Sequence, residues 1–171
     1  MPVESIEALN VKDGGIYFDG TLGGGGHSFK ILQKSSPRGR LIATDLDDYA
    51  IARASERLKE FGERFIPVKS NFKNFSKIKE EYGIEGFDGI LLDLGVSSFQ
   101  LDDRSRGFSY LAREEQLDMR MDKSNPFSAQ VIVNTYSEEQ IKFILKEYGE
   151  ERFSGAIAKR IVQTRQKEKI L

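Results

Sequence analysis

The sequence contains no cysteine and a single histidine, His27. Without thiols there is no disulfide, no iron–sulfur cluster and no thiolate zinc site. One imidazole excludes a multi-histidine metal centre within the chain. No apolar run approaches the ~20 residues of a membrane span. The opening MPVESIEALN lacks the apolar core of a secretion signal. Net charge is scarce too. The 26 basic and 27 acidic residues leave a formal charge of -1, so any contact with nucleic acid requires a local basic patch. Together these absences describe a cytoplasmic chain.

What is present is an ordinary globular composition, with 39% hydrophobic and 31% charged residues. A chain of 171 residues fits one domain, which at that size buries about 70% of its unfolded surface. There is no internal repeat. Short apolar strands at 16–19, 40–44, 65–68 and 87–94 alternate with helical patterns at 29–34, 48–61 and 73–82. The run Ile90-Leu91-Leu92 reads as a strand buried on both faces. Such β-α-β alternation predicts an α/β fold, a Rossmann-like, doubly wound parallel sheet. Its first four strands would lie in the order 3-2-1-4. After Leu94 the alternation stops. Residues 95–125 are polar and irregular, and past Pro126 the pattern is helical. Ser137 and Gln140 form a capping-box signature, followed by an apolar face of Ile141, Ile144, Leu145 and Tyr148. Phe153, Ala156, Ile157 and Ile161 form the corresponding face of a last helix. The expected organisation is a Rossmann-like part over 1–110 and a helical part over 111–171.

The most informative segment is Asp19-Gly-Thr-Leu-Gly23-Gly-Gly25-Gly26-His27-Ser28, at the end of the first strand. Glycines there allow a tight turn and close approach of a ligand. Gly20 and Gly25 have P-loop spacing, but Gly26-His27 follows where Lys and Ser/Thr are needed. The dinucleotide fingerprint fails as well, because its third glycine falls on Ser28 or Phe29. An acid, three spacers and Gly-x-Gly fit the S-adenosylmethionine (SAM) pattern of Rossmann-like methyltransferases. Taken alone, the loop does not separate SAM from other nucleotides. Asp45, ending strand two, is placed to bond ribose hydroxyls. Asp93, ending strand four, would meet Asp19 and the glycine loop at the crevice between strands one and four, although a turn aspartate is common there.

DGTLGGGGHS (19–28), NF (71–72), DGILLDLGVSSFQLDDRSRGFS (88–109), LDMRMD (117–122) and YGEERF (148–153) together resemble the RsmH (MraW) family. These enzymes methylate N4 of a cytosine in 16S ribosomal RNA. The resemblance implies SAM contacts at Gly25, Gly26, His27, Asp45, Phe72, Asp93 and Gln100. Phe72 would pack on the adenine ring, and Gln100 offers both a donor and an acceptor. His27 alone reads as a helix-start histidine, and only the motif makes it a ligand. Three departures stand out. Only Pro2-Val3 remains of the family's usual opening, and Glu115-Gln116 replaces a usual Gly-Pro. Family members are also far longer, so the chain is expected to be an N-terminal, truncated form that stops inside a helical insertion.

The implied reaction is in-line methyl transfer, aided chiefly by positioning and desolvation and needing no metal. Asp93 is the candidate catalytic acceptor for the N4–H. Arg104 and Arg106 are candidate RNA contacts. The basic residues from Arg152 to Lys169 are equally well read as a solvated helix face. The expected partner is 16S rRNA in the small ribosomal subunit, with self-association through an unfinished sheet edge. The alternatives are a non-catalytic SAM-binding fragment and another nucleotide-dependent Rossmann enzyme.

Overall fold

The computed structural model describes residues 2–111 and 115–171; within the stretch read as irregular, 112–114 lie outside the described residues. The chain divides into two compact units, 1–97 and 98–171.

The first unit holds α1 (Pro2–Ala8), β1 (Ile16–Asp19), α2 (Gly26–Lys34), β2 (Arg40–Asp45), α3 (Asp48–Leu58), β3 (Phe65–Lys69), α4 (Phe75–Glu81) and β4 (Gly89–Leu91). The strands form one parallel sheet in the order β3-β2-β1-β4. The doubly wound expectation therefore stands. In register, Asp19 lies opposite Ala43 on β2 and Leu91 on β4.

Alternation along the strands splits the core in two. Tyr17, Leu41, Ala43, Phe65 and Leu91 pack with Ile31 and Leu32 of α2 and with Ala54 and Leu58 of α3. Phe18 and Ile42 face the other way, onto Ile78 of α4 and Ile84. Each fully buried Leu, Ile or Phe among them stabilises by about 1.5–3 kcal/mol. The first face also takes Ile6 of α1, a helix the periodicity reading did not anticipate.

Strand four departs from expectation. Only Gly89–Leu91 is strand, and Ile90 and Leu92 are 48% and 46% exposed against 7% for Leu91. Among the described residues β4 pairs with β1 alone, and the α4 side of the sheet is filled over Phe18 and Ile42 rather than over Ile90. A continuous apolar run therefore lies buried on one face only.

The second unit contains α5 (Ser98–Asp102), a 3₁₀ turn at Arg104–Arg106, α6 (Ala129–Thr135), α7 (Glu138–Glu147) and α8 (Ser154–Arg165). The segment read as irregular thus includes two short helical turns. Both bonds of the Ser137–Gln140 capping box form at the start of α7. Ile141 is buried, but Tyr148 is 79% exposed because it caps the helix C-terminus beyond the packed face. Phe153 is likewise 72% exposed, ahead of the first turn of α8. Ala156 is exposed too; Ser154 and Ala158, one turn apart, make the buried contact, with Ile157 and Ile161 half-buried beside them. The buried positions of α8 are thus its small residues, and the bulky aromatics are left outside. Among the described residues no helix is long and apolar enough to cross a membrane.

Candidate functional site

Asp19 organises the crevice. It is fully buried at the end of β1, where a carboxylate needs donors. Oδ2 accepts from Ser28 Oγ at 2.7 Å, and Oδ1 accepts from Thr21 N at 3.0 Å and from Thr21 Oγ1 at 3.5 Å. Burial pushes its pKa up, against the lowering effect of the Ser28 and Thr21 bonds and the nearby His27. Asp19 thereby ties β1 to the first turn of α2 and fixes the start of the loop.

The loop is pinned to the neighbouring strands as well. Gly20 N donates to Leu91 O at 2.9 Å, Leu22 N to Thr44 O at 2.9 Å, and Thr44 Oγ1 to Gly20 O at 3.2 Å. Gly23 N donates to Asp45 Oδ2 at 2.8 Å, and Gly25 N to Leu22 O at 2.8 Å. Arg57, in the last turn of α3, donates to Gly24 O at 3.0 Å. The N–H groups of Gly23 and Gly25 are thus spent within the protein and offer no phosphate cradle.

Two glycines are required on different grounds. Gly25 has φ +72°, and a Cβ there would meet Leu58 and Ala54 at 3.2 and 3.3 Å, so the start of α2 sits directly on α3. A Cβ on Gly20 would run into Leu92 and lie 2.8 Å from Phe72 Cβ. Phe72 therefore rests against the loop, with part of its ring exposed. A Cβ on Gly23 would meet Thr21 O at 3.9 Å and no other atom of the described residues within 4 Å, so on their side the loop's crest faces open space.

Asp45 Oδ1 also accepts from Asp47 N at 3.0 Å, which leaves lone pairs on both oxygens for a ligand's hydroxyls. The Asp93 side chain is 71% exposed, and its Oδ2 lies 3.7 Å from His27 Nδ1. His27 Nε2 is buried without a hydrogen-bond partner among the described residues. Six of the expected site residues, Gly25, Gly26, His27, Asp45, Phe72 and Asp93, thus all lie in the first unit at the carboxyl ends of β1, β2 and β4 and on the segment after β3. These carboxylates with an aromatic face suit a ligand carrying positive charge, hydroxyls and a flat ring. SAM has all three.

The remaining candidates belong to the second unit. Gln100 is buried on α5, and Arg104 is exposed. Arg106 is buried, and its Nη2 donates to the carbonyls of Arg120 and Met121, both at 3.0 Å. The structure turns this guanidinium inward, where it orders the 117–122 segment, so it does not face a phosphate. Asp118 and Arg120 form a two-pronged ion pair at 2.7 and 2.9 Å, which lowers the Asp118 pKa chiefly through the Arg120 bonds. No group of three or more metal-ligating side chains occurs among the described residues.

Residues 1–171 match the sequence model of the MraW methylase family. The chain belongs to that family. It is 53% identical over 167 residues to "Ribosomal RNA small subunit methyltransferase H 2" of Agathobacter rectalis, covering 98% of this chain and 53% of that protein. The "Ribosomal RNA small subunit methyltransferase H" of Carboxydothermus hydrogenoformans is 51% identical over 165 residues, 96% of this chain and 52% of that one. This MraW-family chain thus spans about half the length of the relatives it matches. Thr21 and Ser28 stand in the glycine-loop motif but were given no role from the sequence, and Arg57 was not named there. The signal for the first two was the acid itself, since a carboxylate at the end of a buried strand needs hydroxyl or N–H donors close by.

Proposed function

We propose that this chain supplies the SAM-binding half of an enzyme that methylates N4 of a cytosine in 16S ribosomal RNA, in the cytoplasm. Residues 1–110 carry the SAM site, and 111–171 begin a helical insertion. Family membership supports the reading. The observation that carries it is the crevice, in which Asp45, Asp93 and the Phe72 ring surround a loop whose Gly23 and Gly25 N–H groups are bonded within the protein.

In this reading Asp45 accepts from the ribose hydroxyls, Phe72 packs on adenine, and Gly25, Gly26 and His27 line the approach. The family resemblance adds a SAM contact at Gln100. SAM supplies the activated methyl group. Cytosine N4 is a weak nucleophile, because its lone pair is delocalised into the ring. Asp93 would accept a hydrogen bond from the N4–H and orient the amine for in-line attack. A paired target base would have to be flipped out first, at a cost of about a few kcal/mol. Arg104, the exposed member of the two arginine candidates, would contact the RNA backbone. β4, as the end strand, would pair with a further strand or with a second copy.

Isothermal titration of the chain with SAM, with NAD as control, tests the first step. Saturable SAM binding without NAD binding is expected. NAD binding without SAM binding would revive an oxidoreductase, and binding of neither by a folded chain would leave a non-catalytic fragment. In a full-length relative, unimpaired methyl transfer after replacing the residue equivalent to Asp93 by Ala would end its catalytic role.

A further inference from the structure

Asp93 carries the chemistry in the function proposed above, yet its side chain is largely exposed and follows the end of a three-residue strand. Nothing in β4 itself fixes it, since the ladder to β1 ends at Leu91. Among the described residues its backbone N–H is held by a bond across the crevice, from Asp93 N to Thr21 Oγ1 at 2.7 Å. That hydroxyl is itself placed by Asp19, because Thr21 N and Oγ1 both donate to Asp19 Oδ1. Asp19 in turn is fully buried and is fixed from the other side by Ser28 Oγ. A hydroxyl can accept and donate at once, so Thr21 joins the two strand ends where an aliphatic side chain of the same shape would not.

We infer that Thr21 is a positioning residue, whose hydroxyl, anchored on the buried Asp19, fixes the Asp93 backbone and so the carboxylate presented beside His27. This rests on the placement of Asp93 in the proposed SAM and cytosine site. Thr21→Val keeps the β-branch and the N–H bond to Asp19 but removes the acceptor. Thr21→Ser keeps the acceptor.

The test combines amide hydrogen exchange at Asp93 with SAM titration, on the whole chain and both variants, with thermal melting as a control. In the unmodified chain the Asp93 amide is expected to be protected. In Thr21→Val it should exchange about five- to tenfold faster, as loss of one hydrogen bond implies, with Tyr17 and Phe18 amides unchanged. SAM affinity should fall by about the same factor, and Thr21→Ser should restore both. An unprotected Asp93 amide in the unmodified chain overturns the inference, and needs no variant to fold. Unchanged exchange in a folded Thr21→Val chain overturns it equally. Faster exchange with undiminished SAM affinity shows a strut that positions nothing, and also overturns it. If the unmodified chain binds no SAM, the proposed function of this chain fails, whereas the exchange data still decide whether Thr21 holds Asp93.

Discussion

The glycine loop after β1 and the loop around residues 117–122 start from the same device and end in opposite states. In each, an aspartate Oδ1 accepts from the backbone N–H two residues on: Asp19 from Thr21 and Asp118 from Arg120, both at 3.0 Å. The second partner differs. Asp19 is completed by neutral hydroxyls and is fully buried, so desolvation raises its pKa. Asp118 is completed by a guanidinium and is only part-buried, so hydrogen bonding to Arg120 lowers it. A carboxylate held by neutral donors spends no positive charge. A carboxylate held by arginine closes on itself, and that loop is a scaffold.

The largest loss is expected at Asp19. Asp19→Ala leaves the Ser28 hydroxyl and the Thr21 N–H without their buried acceptor, and should cost about 3 kcal/mol, read as a lower urea midpoint. Asp19→Asn, which still accepts at one atom, should lose much less. Next comes the scaffold loop. Gly107 has φ +71°, and a Cβ there would lie 2.7 Å from Asp118 N and 2.8 Å from Gln116 O, backbone atoms that have little room to yield. Gly107→Ala should destabilise the second unit by about 2 kcal/mol, visible as faster amide exchange at Asp118 and Met119. Smaller again is Arg57→Ala, which removes an exposed bond to Gly24 O and a guanidinium contact with the Phe29 ring at 5.8 Å. About 1 kcal/mol is expected, with SAM affinity weakened through the loop.

The sheet was legible because its signal is periodic. Four apolar runs separated by helical patterns leave little choice of topology, and right-handed crossovers remove most of the rest. The end of the alternation after Leu94 was legible for the same reason. Burial was not, wherever it depends on which neighbours a residue has. Ile90 and Leu91 are alike in type and lie on one strand, and what separates them is the face each takes: Leu91 falls under the first cluster, whereas the second does not reach Ile90. Tyr148 and Phe153 fit a helical stripe, but a stripe does not say where the helix ends, and both fall at caps. In the site, charged and aromatic residues were visible by type, while Thr21 and Ser28 were not. Small hydroxyls acquire meaning only beside a buried acid, and Asp19 declares its burial only in the fold. Arg104 and Arg106 look equivalent two residues apart, yet a 3₁₀ turn sends one outward and the other into a pair of carbonyls.

The gentlest test of the comparison is pH, because it alters both loops without replacing an atom. Asp19 has a folded pKa above its ordinary value of 3.8, so the folded state holds that proton more tightly than the unfolded chain does. Its contribution to stability is fully present below pH 3.8 and is lost as pH rises through the raised value. Asp118 has a folded pKa below 3.8, so its contribution is present above that value and is lost as pH falls through the lowered one. Acidification from neutral pH should therefore first relieve the β1 loop and only below about pH 4 weaken the 117–122 loop. Amide protection at Phe18 and at Met119, taken relative to the intrinsic exchange rate at each pH and followed between neutral and acid pH, should move in opposite directions. Asp19→Asn should flatten the Phe18 response and leave that of Met119 intact. Parallel responses in the two loops, or a Phe18 response that survives Asp19→Asn, would show that the acid in the crevice is not set apart by its neutral partners.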